Sequence, residues 1–276
     1  MVTSMKLLIL YYSGTGNTEF ACMVAKIVAE RSGHEVTMKT FAKADEISLD
    51  DYDAYCFATP LQAWQPTKNV ERFIKAMPSV DGKVAFLLSS SGGQPSQTAP
   101  LMTRWLNKKG IAVTGHHDLQ CPDSWPVSRR LSHKSDQKRP DVESVRELAE
   151  FTQRMLDMQV AFLSGEQVAL PRYRVHPTPL FLLSRFERLP KGHPSLEMGK
   201  KKTIESDCTQ CGVCEKDCPA GAIRLEPYPV FSKECIACWR CINCCPEDCI
   251  TTWMSSRYHY KGIPDKDELL KKAGLQ

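Results

Sequence analysis

Ten of the chain's thirteen cysteines lie between Cys208 and Cys249, and eight of these form two runs of the pattern C-x2-C-x2-C-x3-C-P. The first run is Cys208, Cys211, Cys214, Cys218 and Pro219, and the second is Cys235, Cys238, Cys241, Cys245 and Pro246. Each residue of the first run recurs 27 positions later in the second, so the region is an internal repeat. Two copies that are each too small to bury a core predict one small domain with pseudo-twofold symmetry.

Dense thiols at this spacing indicate a metal or cluster site. Three thiolates two residues apart can reach three corners of a four-iron cubane, while the backbone between them donates hydrogen bonds to sulfur. Zinc and disulfides are the alternatives. Zinc sites usually have separated cysteine pairs or histidines, and neither run contains a histidine. Disulfides are rare in a reducing compartment.

The two runs resemble those of bacterial two-cluster ferredoxins, in which the fourth cysteine of each run binds the other cluster. The resemblance implies two [4Fe–4S] clusters in a small α+β domain. The implied ligands are Cys208, Cys211, Cys214 and Cys245 for cluster one, and Cys235, Cys238, Cys241 and Cys218 for cluster two.

Three other residues of the repeat depart from its pattern. We do not expect Cys244 or Cys249 to be ligands, and Cys249 stands where the first copy has Ala222, as expected of a small buried residue. Trp239 replaces Gly212 of the first copy. Its position is compatible with an interface near cluster two and equally with an amphipathic surface aromatic.

The first half of the chain alternates between buried strand patterns and helix patterns. Strands are predicted at residues 6–12, 35–41, 52–58, 84–88 and 111–114, and helices at 17–31, 68–77, 97–109 and 141–163. Apolar strands separated by crossover helices predict a doubly wound parallel sheet of five strands, covered on both faces.

A turn rich in small residues, Ser13, Gly14, Thr15, Gly16, Asn17 and Thr18, follows the first predicted strand and opens a helix. Backbone N–H groups at such a helix start converge on a phosphate. The turn has no Walker lysine, and it does not match the G-x-G-x-x-G dinucleotide fingerprint.

This order of strand, S-G-T-G-N-T turn and helix resembles flavodoxins, and the resemblance implies a flavodoxin-like sheet that binds FMN. The phosphate would lie in the turn from Ser13 to Thr18. The flavin ring would lie between the loop with Thr59, Pro60, Leu61 and Trp64 and the loop with Ser90, Ser91, Gly92 and Gly93. Trp64 is placed to cover a flavin face, with core packing as its alternative.

The whole chain resembles the flavodoxin–ferredoxin fusion proteins of anaerobes. We divide it into a flavodoxin-like domain (1–164), a basic linker (165–202) and a ferredoxin-like domain (203–276). Residues 124–139 and the linker (165–202) together carry a net charge of +9, so the rest of the chain carries −5. These basic segments are interpreted as solvated surface, with weak contact to an anionic membrane surface as the alternative. We expect no nucleic-acid partner.

The implied function is electron transfer between FMN and two clusters, linking a two-electron redox protein to a one-electron one. One alternative is an FMN-dependent reductase of a small acceptor fed by the clusters. Another is a redox-sensing interaction module. No acid–base or nucleophilic site stands out, so no catalytic side chain is assigned and a carrier is favoured over an enzyme. The chain has no apolar run of about 20 residues, and with no recognisable export signal we expect a cytoplasmic protein. Oligomeric state and direction of electron flow stay open.

Overall fold

The structure is a computed structural model, and it describes residues 4–42, 47–94, 96–125, 139–176, 179, 181–182, 200–255 and 259–276. The strands of the first half are β1 (Lys6–Tyr11), β2 (Glu35–Thr40), β3 (Ala54–Gln62), β4 (Gln65–Pro66), β5 (Lys83–Ser91) and β6 (Ile111–Gln120). The helices are α1 (Asn17–Arg31), α2 (Lys68–Ala76), α3 (Thr98–Asn107) and α4 (Val142–Leu163).

Five of these strands form a parallel sheet in the order β2-β1-β3-β5-β6, and the short β4 pairs antiparallel with the end of β3. This is the flavodoxin-like order, in which the chain reverses direction across the sheet between β1 and β3. The predicted α/β fold class is therefore confirmed. Ligands of such sheets bind beyond the carboxyl ends of the strands at this reversal.

Side chains along the central strands alternate between two cores, because successive residues of a strand point to opposite faces. Leu7 and Ile9 pack with α1 and α4, whereas Leu8 and Leu10 pack with α2 and α3. Both faces are covered, which explains why these strands read as continuous apolar runs.

The cysteine-rich half contains β7 (Lys202–Thr203), α5 (Val213–Lys216), β8 (Ile223–Leu225), β9 (Pro229–Phe231), α6 (Arg240–Asn243), β10 (Ile250–Thr251) and α7 (Lys266–Lys272). β8 pairs with β9, and β10 pairs with β7. The predicted repeat is visible in the backbone. Positive φ angles recur in pairs 27 residues apart, at Gln210 and Ala237, at Gly212 and Trp239, and at Gly221 and Asp248.

The end of the chain returns to the first half. Ile263, Leu270 and Leu275 are buried in the same core as α1 and α4. Arg31 Nη1 donates to Gly274 O at 2.7 Å, which fastens α1 to this segment. The segment predicted as the last part of the ferredoxin-like domain thus packs on the flavodoxin-like domain, because its apolar residues are buried in the core that contains α1 and α4.

The first part of the basic linker lies along the flavodoxin-like domain. Gln97 and His176 exchange two hydrogen bonds, one from Gln97 Nε2 to His176 O at 2.6 Å and one from His176 N to Gln97 Oε1 at 3.0 Å. Seven of the thirteen lysines and arginines in the two basic segments fall outside the described residues, namely Arg129, Arg130, Lys134, Lys138, Arg185, Arg188 and Lys191. Within the part of the chain that the structure describes, no helix combines the length and hydropathy needed to cross a bilayer.

Candidate cofactor sites

A cavity of about 550 Å³ lies beyond the carboxyl ends of β1, β3 and β5. This volume falls within the range of roughly 300–1,000 Å³ that is usual for cofactor sites. Most of the residues predicted to bind the flavin line it: Ser13, Gly14, Thr15, Asn17, Thr18, Pro60, Leu61, Trp64, Ser90, Ser91 and Gly92. The structure therefore brings the turn and the two loops together around one space.

Three predicted residues shape the loops without lining this cavity: Gly16, Thr59 and Gly93. Gly16 has a φ of 87° and donates its N–H to Ser13 Oγ at 3.0 Å, so it forms the bend of the turn. The Thr59 hydroxyl is fully buried and donates to Pro60 O at 3.0 Å. Gly93 N donates to Ser91 Oγ at 3.1 Å. Thr59 Oγ1 also lies 3.2 Å from Thr67 Oγ1, just before α2.

Thr18 joins the phosphate turn (13–18) to the loop with Ser90, one of the two loops predicted to hold the flavin ring. Its hydroxyl is fully buried and lies 2.8 Å from Ser90 Oγ. Because this hydroxyl is hydrogen-bonded to Ser90, it has less capacity left to bind a phosphate than the sequence suggests. The backbone N–H groups at the start of α1 are then the main donors that the turn offers to an anion.

A buried polar network supports the loop that carries Ser91. Asp118 accepts hydrogen bonds from Ser89 Oγ and, at 2.6 Å, from Ser91 Oγ, and His116 Nε2 lies 2.9 Å from Ser89 Oγ. Burial raises the pKa of Asp118, although the two serine hydroxyls act in the opposite direction. Burial also lowers the pKa of His116 to about 4, so its imidazole is neutral at pH 7. Ser89 is fully buried and does not line the cavity, so it acts through the position of the loop, whereas Ser91 reaches the cavity.

The cavity also has walls that the sequence did not predict. They include Tyr12, Gln62, Cys121, Asp123, Trp125, Cys238, Trp239 and Met254. Cys238, Trp239 and Met254 belong to the cysteine-rich half, so the cavity lies between the two halves of the chain. The only sequence signal for this wall was the tryptophan that replaces Gly212 of the first copy.

A buried polar atom supports the fit of a polar ligand in this cavity. Gln62 Oε1 has no hydrogen-bond partner among the described residues, and the Gln62 side chain lines the cavity. A buried polar atom without a partner is costly unless a ligand or water supplies one. The aromatic side chains of Trp64, Trp125 and Trp239 suit a flat conjugated ring.

The eight cysteines of the two runs surround two small apolar cavities. One is lined by Cys208, Cys211, Cys214 and Cys245, and the other by Cys218, Cys235, Cys238 and Cys241. Each cavity thus has three cysteines of one run and the last cysteine of the other. Among the described residues, no three His, Cys, Asp or Glu side chains are grouped closely enough to hold a single metal ion.

The chemistry of these donors fits an iron–sulfur cluster. Burial raises the pKa of the Cys238 and Cys241 thiols, so thiolates at these positions need a cationic partner such as iron. Lys201 Nζ donates to Cys235 Sγ at 2.9 Å, and Ala222 N donates to Cys218 Sγ at 3.2 Å. Hydrogen bonds to ligand sulfurs are among the features that set cluster potentials.

Cys238 and Trp239 line both the large cavity and the second cysteine cavity. They form the wall between the two spaces. A redox group in either cavity would therefore contact the same two residues.

Hydrogen bonds across the two halves hold this wall in place. Arg240 Nη1 donates to Ser13 O at 2.9 Å and Gly14 O at 2.8 Å, and Arg240 Nη2 pairs with Asp217 Oδ2 at 2.7 Å. Gln62 Nε2 donates to Ile236 O at 2.6 Å. One guanidinium thus joins the predicted phosphate turn to both cysteine runs.

The two extra cysteines have separate surroundings. Cys249 is buried with its Sγ 3.5 Å from Cys245 Sγ, and it lines the first cysteine cavity as a fifth cysteine. Cys244 Sγ donates to Gly14 O at 3.4 Å and therefore belongs to the contact between the halves.

Comparisons with known proteins agree with these features. Residues 202–224 match the family model described as a 4Fe–4S binding domain. A ferredoxin-like protein in the nif region of Sinorhizobium fredii is 43% identical over 53 residues, which are 16% of this chain and 83% of that protein. A component of an ion-translocating oxidoreductase complex of Methanosarcina acetivorans is 40% identical over 52 residues, 18% of this chain and 20% of that protein. The match thus spans about a fifth of the latter's length.

A solved flavodoxin from the domain Archaea is 16% identical and aligns with a TM-score of 0.42, covering 56% of this chain and 99% of that one. The assignment of the first half rests on its strand order and not on this similarity. Fold and sites together define an electron-transfer protein of the iron–sulfur class that has a flavodoxin-like domain able to hold a flavin. The chain belongs to the 4Fe–4S ferredoxin family, and its ferredoxin domain is fused to that flavodoxin-like domain.

Proposed function

We propose that this chain passes electrons between FMN and two [4Fe–4S] clusters, and thereby links a two-electron redox partner to a one-electron one. The observation that carries the proposal is the wall of Cys238 and Trp239 shared by the large cavity and a cysteine cavity. FMN exchanges electrons singly or in pairs, and each cluster exchanges one. The protein's own contribution is to hold these groups side by side.

The flavin would be FMN held by the turn and the two loops. The turn from Ser13 to Thr18 offers a single helix N-terminus, which suits one terminal phosphate. FAD would require a second phosphate site and an adenosine pocket. The unpartnered Gln62 Oε1 would meet a polar group of the cofactor.

The clusters would be held by the crossed ligand sets. Cluster one would have Cys208, Cys211, Cys214 and Cys245, and cluster two would have Cys235, Cys238, Cys241 and Cys218. Cluster two would then be the neighbour of the flavin through Cys238. Cys211 is exposed, so cluster one would face the outside and exchange electrons with a protein partner. We place this exchange in the cytoplasm, where thiols stay reduced.

Anaerobic purification followed by chemical analysis tests the proposal. We expect about eight irons and eight sulfides per chain, together with one flavin that is released as FMN on denaturation. Zinc in place of iron, or release of FAD, would contradict the cofactor assignment. Fast turnover of a quinone or nitro compound at the flavin would instead favour a reductase fed by the clusters.

A further inference from the structure

Trp239 occupies a backbone conformation that favours glycine. Its φ is 61°, and the equivalent residue of the first run is Gly212 with a φ of 74°. A β-carbon is disfavoured in this left-handed region, and non-glycine residues held there concentrate at functional sites. A short helix follows in both copies, α5 after Gly212 and α6 after Trp239. The local fold therefore needs no side chain at this position.

The indole of Trp239 is buried although it belongs to a small domain. Its exposed fraction is 6%, which excludes the surface aromatic considered from the sequence. It packs in a hydrophobic cluster with Ala237 and Ile242, and Trp125 of the flavodoxin-like half contacts the same hydrophobic cluster. It also lines the large cavity together with the phosphate turn and Trp64.

We propose that Trp239 is a flavin-contacting residue, and that the second cysteine run supplies one wall of the flavin site. This inference rests on the proposed function and extends it. The flavodoxin-like half alone then forms an incomplete site. The same residue that covers the flavin directly follows the cluster ligand Cys238, so docking of the two halves both encloses the flavin and brings it to the cluster.

The full chain with its clusters, purified anaerobically, allows a direct test with Trp239→Gly. This substitution places at residue 239 the amino acid that the first run already has, so it relieves the backbone instead of straining it. The expected results are about tenfold weaker FMN binding on dilution, a shifted visible absorbance of the flavin because an aromatic contact is lost, and unchanged iron content. Trp253→Gly is the control, because Trp253 is 72% exposed and does not line the cavity.

Equal FMN affinity and equal flavin absorbance in Trp239→Gly and the wild type would overturn the inference. If Trp239→Gly loses iron, Trp239→Leu decides, because leucine keeps apolar bulk in the hydrophobic cluster around residue 239 but has no aromatic ring. The inference requires weaker FMN binding by Trp239→Leu at full iron content, and an unchanged FMN affinity contradicts it. Wild-type protein that binds no flavin would overturn the proposed function itself, and this result differs from a failure at Trp239 alone.

Discussion

At the scale of single residues, a lysine distinguishes the two cysteine cavities. Lys201 Nζ donates to Cys235 Sγ at 2.9 Å and lies 5.0 Å from the ring centroid of Phe231. A positive charge beside a ligand sulfur favours the reduced, more negative state of a cluster. Lys201 should therefore raise the reduction potential of cluster two, the cluster that would adjoin the flavin.

Replacing Lys201 by methionine should make the reduction potential of one cluster more negative and leave the other unchanged. The removed ammonium no longer stabilises the added electron at the cluster of Cys235. Potentiometric titration followed by electron paramagnetic resonance measures both potentials. Lys202→Met is the matched control, because Lys202 is exposed and makes no sulfur contact in the described part of the chain. Equal potentials in Lys201→Met and wild type would show that this contact does not tune the cluster.

The hydroxyl of Thr18 provides a second residue-scale prediction. Thr18→Val keeps the side chain's shape, but it breaks the buried bond to Ser90 that ties the turn to the ring loop. A buried hydrogen bond contributes about 0.5–1.5 kcal/mol, so FMN affinity should fall about two- to tenfold while the clusters stay intact. Ultrafiltration of holoprotein at increasing dilution measures the loss. If Thr18→Val binds flavin as tightly as the wild type does, the hydrogen bond between Thr18 and Ser90 does not support FMN binding.

At the scale of elements, the repeat determines which cysteines meet. Of the eight cysteines in the two runs, each cavity is lined by three from one run and the last from the other. Short helices α5 and α6 follow the left-handed residues of the two runs, so both copies present their cysteines in the same way.

The crossed arrangement predicts different losses for Cys218→Ala and Cys245→Ala. Cys218→Ala should damage the cluster of Cys235, Cys238 and Cys241, and with it electron exchange with the flavin. Cys245→Ala should damage the outer cluster and leave that exchange intact. Electron paramagnetic resonance of the reduced variants identifies the surviving cluster. Losses confined to the run that carries the mutation would show that each run binds its own cluster.

Several elements were predictable from sequence because their signals are local. β1 and β5 are buried on both faces, and their apolar runs predicted them; β1 was predicted to within one residue, whereas β5 was predicted over residues 84–88 and runs from Lys83 to Ser91. β6 was predicted only over residues 111–114 but extends to Gln120. Its second half contains Gly115, His116, His117 and Asp118, whose polar groups are satisfied by neighbours such as Ser89 that are distant in sequence.

At the scale of the whole molecule, the function depends on how the two halves dock. The turn and loops of the flavin pocket carry sequence patterns, so they were predictable. The wall from Cys238 and Trp239 was not, because it depends on hydrogen bonds such as those from Arg240 to backbone carbonyls, which leave no pattern in sequence. The C-terminal segment adds a second attachment through Leu270 and Leu275.

Arg240→Gln should weaken docking near the flavin. The carbonyls of Ser13 and Gly14 lose a charged donor, and hydrogen bonds to charged groups contribute about 1.5–3 kcal/mol. We expect slower electron transfer from flavin to cluster, by about tenfold, with unchanged iron content. Arg224→Gln is the control, because Arg224 is exposed and belongs to β8, away from the contact. An unchanged transfer rate in Arg240→Gln would mean that the hydrogen bonds from Arg240 to Ser13 and Gly14 do not set the distance between the cofactors.

The most direct test of the account is a flash-photolysis measurement of electron transfer within one chain. The flavin is reduced by a light pulse under anaerobic conditions, and the visible absorbance of flavin and clusters is followed. The account predicts that flavin and cluster exchange electrons until they reach equilibrium, whether the pulse first reduces the flavin or a cluster, with a first-order rate that does not depend on protein concentration. A rate proportional to protein concentration, or no exchange in either direction, would contradict it.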